Sequence, residues 1–267
     1  MKQFILNSEP EKDGSVILQG NDYHYLVRVR RLAAGEIFPA LLPGGEETLI
    51  QIVSVNGGVL KGKCIESSVN NSVSFTPPGR CEKPSLKIPP IILFQALPKS
   101  DKMDLIVRQA AEGGITEIVP FVSDYSVAKI NTEGKKISRW ERIIKEARQQ
   151  SGSGISTALR SPMPLNDLFN YWHELKNNGA LGIFFHHLVL EQKSLHEYLN
   201  NNPCIVVLAV GPEGGFSERE VSLFLENDFK PLTLGDTILR TETAALYCSA
   251  AIRVLLLEKD SWEQKRT

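Results

Sequence analysis

From residue 91 onward, apolar runs of strand length alternate with segments whose apolar positions recur every three or four residues. The runs are "IILFQA", "ITEIVPF", "ALGIFF", "CIVVLAV" and "FKPLTL". Between and after them come "KMDLIVRQAAEGG", "KKISRWERIIKEARQQ", "EREVSLFLEND" and "TETAALYCSAAIRVLLLEK", each with helical spacing or the composition of a packed helix. Near-continuous apolar strands alternating with helices predict an α/β fold: an open, mainly parallel sheet covered by helices on both faces. Ligands of such sheets bind at the carboxyl ends of the strands, where "VGPEGG" (210–215) lies.

The first 74 residues follow another pattern. "VILQG", "EIFPALL", "TLIQIVSV" and "VLKGKCI" are short strand-like runs, the last two joined by Asn56-Gly57-Gly58, residues that tolerate the positive φ of a tight hairpin. This half predicts a small β-barrel. Residues 75–90, "FTPPGRCEKPSLKIPP", carry five prolines, which exclude a helix and a central strand and predict a linker. The expected organisation is a β domain over 1–74, a linker over 75–90 and an α/β domain over 91–267.

Composition narrows the functions open to the chain. With 267 residues, 42% of them hydrophobic, there is material for two cores. A net charge of -1 excludes coating of nucleic acid or membrane by bulk electrostatics, so any nucleic-acid contact must come from a local patch. No window has the length of apolar sequence that a membrane span needs, and the N-terminus lacks a secretory apolar region, which together predict a cytoplasmic protein. The four cysteines are scattered, without Cys-x-x-Cys or a histidine at ligand spacing, so no metal site is expected.

Two nucleotide-like signatures fail on inspection. "GGVLKGKC" has Cys64 where a phosphate loop needs Ser or Thr, and it lies in a strand pattern. "SGSGIS" follows a helix, whereas a dinucleotide turn follows a strand. "VGPEGGFSERE" is better placed: a buried strand ends at Val210, a glycine turn follows, and Ser217 with Glu220 can form a capping box on the next helix. Glycines there let backbone groups approach a flat ligand closely.

"GPEGGFSERE" followed by "LGDTILRTETAAL" resembles the bacterial small-subunit ribosomal RNA (uracil-N3) methyltransferase family of the SPOUT superfamily. "KSDKMDLIVRQAAEGGITEIVP" and "RWERIIKEARQQSG" are similar to the first half of its methyltransferase domain, and "HYLVRVRRLAAGE" (24–36) to its PUA-like RNA-binding domain. The chain departs from the family where Gln149-Gln150-Ser151-Gly152-Ser153 replaces Glu-Gln-Ser-x-Arg. The resemblance implies a C-terminal trefoil knot, S-adenosylmethionine as cofactor, a homodimer, and 16S ribosomal RNA or the small ribosomal subunit as partner. By position it implies three cofactor loops. Phe185 and His186 end one, and Gly211, Pro212, Glu213, Gly214 and Gly215 form the second. Leu234, Gly235, Ile238 and Leu239 form the third, continuing through Arg240 to Thr243 and Ala244 at the start of the last helix.

N3 of uracil carries a proton and becomes a good nucleophile only once that proton leaves and the anion is stabilised. Arg240 and Glu242 are therefore the catalytic candidates, Arg240 as the cation near the developing anion. Glu242 either orients Arg240 or accepts the proton; in a purely structural reading it favours the helix N-terminus with Arg240 paired to it. Glu213 either bonds the cofactor or holds its own loop, the loop role being the preferred one. For RNA, Arg139, Arg142 and Arg148 recur with Lys145 every three residues along one drifting helical stripe. Arg28, Arg30 and Arg31 form a second basic cluster, to which Lys99 and Lys102 add a third.

Overall fold

The structure is a computed structural model, and it describes residues 4–65, 88–126, 134–186, 190–233 and 235–263. The chain divides into two compact units, one of residues 1–83 with 148–156, the other of 84–147 with 157–267. Most of the expected linker, residues 75–87, lies outside the described residues. That residues 148–156 join the first unit was not foreseen from the sequence.

In the first unit, β1 (Phe4–Ile5), β2 (Ser15–Gln19), β3 (Ile37–Leu41), β4 (Glu47–Asn56) and β5 (Val59–Ile65) form a sheet of order β1-β3-β4-β5-β2. All pairings are antiparallel except β1 with β3. The predicted hairpin joins β4 to β5 through Gly57 and Gly58, at φ of 58° and 80°, the positive values a two-residue turn of this hand requires. Alternate residues Val16, Leu18, Phe38, Ala40, Ile50, Ile52 and Leu60 face inward around Phe4 and Leu26. Leu26 comes from an unpredicted helical stretch, α1 (Gly20–Tyr23) running into a π-helical turn over His24–Val29.

In the second unit the strands are β6 (Ile91–Ala96), β7 (Glu117–Val122), β8 (Ala158–Leu159), β9 (Met163–Pro164), β10 (Ala180–Phe185), β11 (Ile205–Val210) and β12 (Lys230–Leu232). Their order is β12-β10-β11-β6-β7-β8, with β9 also on β7, and every pairing is parallel. The helices are α2 (Lys102–Glu112), α3 (Gly134–Ser151, of which residues 148–151 belong to the first unit), α4 (Leu165–Asn177), α5 (Leu195–Leu199), α6 (Glu218–Glu226) and α7 (Thr241–Glu263). Strand side chains alternate between two cores. Ile91, Leu93, Val206 and Leu208 pack with residues of α2, α3, α5 and α7, whereas Ile92, Phe94, Val207 and Ala209 pack with α4 and with Phe224 of α6. Burial on both faces is why these strands read as unbroken apolar runs. Among the described residues, no helix is long and apolar enough to cross a membrane.

Candidate functional site

Each strand of the second unit delivers its carboxyl end to the same edge, and the loops after β10, β11 and β12 meet there around a cavity of about 840 Å³, a usual size for a small-molecule site. Phe185 and His186 enter from β10, residues 211–215 from β11, and Gly235, Ile238, Leu239 and Arg240 from the segment after β12. Ala244 closes it from the first turns of α7. Leu234 lies outside the described residues. Thr243 is the exception to the expected set, because it lies on the exposed side of α7 with Leu246 and Tyr247. The helical period explains it: Thr241 and Ala244 face the cavity about 60° apart, and Thr243 points well away from both.

The loop after β11 is set by backbone geometry. Gly215 N–H donates to the Pro212 carbonyl at 2.9 Å, and Gly215 has φ of 71°. A Cβ on Gly211 would stand 3.0 to 3.3 Å from the backbone C, Cα and O of Gly215. The following helix begins with the predicted capping box: Ser217 accepts from Glu220 N–H, and Glu220 Oε2 accepts from Ser217 N–H at 2.9 Å. Glu220 is fully buried and also accepts from Asp124 N–H at 3.0 Å and Ser123 Oγ at 3.1 Å, fastening the loop after β7 to the start of α6. Asp124 reaches back to Ser217 and Arg219, and the Arg219 guanidinium with the Ser217 hydroxyl holds its carboxyl below the usual range. Glu220→Ala leaves the buried Ser123 hydroxyl and the Asp124 and Ser217 N–H groups without their acceptor and is expected to cost about 2–3 kcal/mol, read as a lower urea midpoint at unchanged m-value.

A buried hydroxyl ties three segments together behind the cavity. Thr241 Oγ1 donates to the Gly211 carbonyl at 2.6 Å and accepts from Gln95 Nε2 at 3.0 Å. Gln95, at the end of β6, is fully buried. Thus the chain entering α7 is pinned to the ends of β11 and β6. Sequence reasoning missed this role, although Thr241 stands inside "LRTETAA" between the two residues it singled out.

Charge in the site is arranged differently from what the sequence suggested. Glu213 accepts from Lys99 N–H at 3.1 and 3.2 Å and pairs with Lys102 Nζ at 2.8 Å. Lys102 also lies 3.5 Å from Glu242 Oε2. Burial pushes the Glu213 carboxyl up, but Lys102 and the backbone N–H donors outweigh it and hold the group below its ordinary range. The bond to Glu213 pushes the Lys102 ammonium up, with Glu242 adding to it. Lys102, expected at RNA, is therefore part of the cavity wall. Glu242 is not in that wall, and its partner is Lys102, not Arg240. Arg240 lines the cavity, is exposed, and has no carboxylate partner among the described residues.

The remaining basic residues separate. Arg139 pairs with Asp104, and Arg142 with Glu146 at 3.8 Å, both from exposed positions on α3. Arg148 is buried, with Nε and Nη2 unpartnered, and burial pulls its guanidinium below its ordinary value. This corrects the expectation that Arg148 shares a surface with Arg139. A three-residue step falls about 60° short of a full turn, so three steps carry the stripe to the opposite side of the helix. In the first unit Arg28 and Arg31 are exposed, while Arg30 is half-buried with Nη1 unpartnered; Lys99 is exposed near Glu213. Among the described residues no cluster of side chains could hold a metal ion.

Comparison with known proteins follows the same lines. The family description "RNA methyltransferase domain" matches residues 84–253. A ribosomal RNA small subunit methyltransferase E 2 of Borreliella burgdorferi is 31% identical over 260 residues, covering 96% of this chain and 98% of that protein. A ribosomal RNA small subunit methyltransferase E of Synechocystis is 30% identical over 95% of this chain and 78% of its own length. Among solved structures, the ribosomal RNA small subunit methyltransferase E of Neisseria gonorrhoeae bound to S-adenosyl methionine superposes with a TM-score of 0.75 at 23% identity, covering 96% of this chain and 98% of that one. A putative methyltransferase from Legionella pneumophila, in complex with SAM, gives 0.74 at 25% identity, over 95% and 97% of the two chains. With a sequence that matches along nearly the whole length, this chain belongs to the ribosomal RNA small subunit methyltransferase E family.

Proposed function

We propose that the protein methylates N3 of one uridine in 16S ribosomal RNA, within the small ribosomal subunit, using S-adenosylmethionine. The observation that carries the reading is the cavity at the carboxyl ends of β10, β11 and β12, walled by glycine backbone and aliphatic side chains with the Arg240 cation on one side. Its residues fit the cofactor. Bare backbone at 211–215 can meet the polar edge of an adenine, and Val210, Leu232, Ile238 and Leu239 offer it apolar contact. Ile238, on the cavity wall, is 78% exposed and so offers apolar surface that a bound ligand can cover.

The cofactor supplies an electrophilic methyl group on sulfur; the protein's task is to align it with the uracil N3 lone pair, which forms the new C–N bond as the C–S bond breaks. Arg240, with no carboxylate partner among the described residues, stabilises the base once N3 has lost its proton. Glu242 supports that arrangement from Lys102 rather than from the cavity. Calorimetric titration with S-adenosylmethionine tests the cofactor assignment: saturable binding supports it, and absence of heat at any concentration favours a noncatalytic RNA-binding module.

The proposal includes the knot, the PUA-like character of the first unit, and the dimer. For the knot, the support is that the chain leaves β12 at the sheet edge and that Thr241, at the start of α7, is bonded to Gly211 and Gln95 at the ends of β11 and β6, with β10 between β12 and β11. For the dimer, it is an apolar seam on α7 of Leu246, Tyr247, Ala250, Ala251 and Val254, with Tyr247 56% exposed. Tyr247→Glu is expected to convert a dimer to a monomer in sedimentation equilibrium; unchanged mass would remove this face from the interface. The exposed Arg28, Arg31, Arg139 and Arg142 are the proposed RNA contacts.

A further inference from the structure

The Lys102 ammonium faces two carboxylates from segments far apart in sequence, Glu213 at 2.8 Å and Glu242 at 3.5 Å. Its side chain is 30% exposed and lines the cavity, whereas the Glu242 side chain is 13% exposed and outside the cavity wall, with the Lys102 ammonium beside its Oε2. Two residues before Glu242 stands Arg240, a cation on the same cavity with no carboxylate partner among the described residues. Arg240 immediately precedes α7 and Glu242 lies in its first turn, so a Glu242 carboxylate released from Lys102 would have that guanidinium as its neighbour along the chain, and a charged contact between them would be among the stronger polar interactions. Here the nearest cation to Glu242 is Lys102 instead.

We propose that Lys102 is a positioning residue of the methyl-transfer site: by engaging Glu213 and Glu242 it keeps Glu242 from pairing with Arg240, and so leaves the Arg240 charge directed at the uracil. The inference rests on the methyl-transfer reading. It divides two cations on one cavity by task, Lys102 neutralised by protein carboxylates and Arg240 kept for substrate. It also sets aside Lys102 as a phosphate ligand, because an ammonium already engaged by two carboxylates has little charge left to offer a backbone phosphate. The Glu213 contact has a second effect. Together with Lys99 N–H it anchors the loop 211–215, which forms one wall of the cavity, before any ligand arrives.

The test is single-turnover methyl transfer from labelled S-adenosylmethionine to small subunits, with calorimetric cofactor affinity measured beside it, for Lys102→Met, Glu242→Gln and the double variant. Lys102→Met is expected to slow transfer on the order of a hundredfold, as for loss of an electrostatic stabiliser, because Glu242 then captures Arg240. It is also expected to weaken cofactor binding roughly tenfold through the freed Glu213 loop. The distinguishing result is rescue: adding Glu242→Gln to Lys102→Met recovers at least about tenfold of the lost rate, which no packing role of Lys102 would produce. Should Lys102→Met not fold, Lys102→Gln carries the same comparison. A double variant no faster than Lys102→Met overturns the inference. So does a Lys102→Met enzyme with unchanged rate, a raised KM for subunits and a shallower salt dependence, which would make Lys102 an RNA contact. Failure of the methyl-transfer reading itself looks different, since the wild-type protein would then transfer no methyl group at all.

Discussion

Replacing Arg240 by alanine is expected to lower the rate of methyl transfer at saturating substrate on the order of a hundredfold, the usual consequence of removing one preorganised charge from a developing anion. Affinity for S-adenosylmethionine should stay within about threefold, because the cavity wall is otherwise built from residues that the substitution does not touch. Single-turnover transfer and calorimetry separate the two quantities. The split follows from geometry: Arg240 is exposed at the cavity, unpaired among the described residues, and held in place by its backbone, its carbonyl accepting from Ala244 N–H at 2.7 Å. If the variant instead lost cofactor affinity and kept its rate at saturation, Arg240 would be a cofactor ligand and the anion would need another partner.

Gly211→Val is expected to weaken cofactor binding by at least about tenfold, equivalent to 1.4 kcal/mol. The added Cβ would meet the backbone of Gly215 at 3.0 to 3.3 Å, and Gly215 is itself committed to a turn at positive φ and to a hydrogen bond with Pro212. Backbone so constrained cannot give way as the end of a side chain would. On the other side, the Gly211 carbonyl accepts the Thr241 hydroxyl, so a shift there is transmitted to the start of α7. Gly44→Ala is the control, since a Cβ at that position meets no atom within 4 Å. Calorimetric affinities for the two variants, with thermal unfolding to verify the fold, check the prediction; equal affinities would show that the loop does not hold the cofactor.

The sheet of the second unit was legible because burial on both faces writes each strand as an apolar run, and the hairpin at Gly57-Gly58 because positive φ selects its residues. Helix α4 left a readable trace, Leu165, Leu168, Phe169, Trp172 and Leu175 at helical spacing, which the strand-and-helix reading passed over. The π-helical turn over His24–Val29 had no such trace: its alternating valines and polar residues read equally well as a strand, and only packing of Leu26 into the core decides the matter. In the site, the glycine turn and the capping box were local and could be read. The pairing of Lys102 with Glu213 and Glu242 depends on three segments that meet only in the folded sheet, and no spacing rule reaches across them. Arg148 and Thr243 were misplaced for a simpler reason, that a helix turns 100° per residue and neighbours of a functional residue face elsewhere.

The most direct test is to incubate the protein with labelled S-adenosylmethionine and small ribosomal subunits that lack base methylations, then digest the RNA and identify the labelled nucleoside by mass spectrometry. The account predicts 3-methyluridine, formed by the wild-type protein and reduced about a hundredfold with Arg240→Ala. A different methylated nucleoside, or none despite saturable cofactor binding, would contradict it.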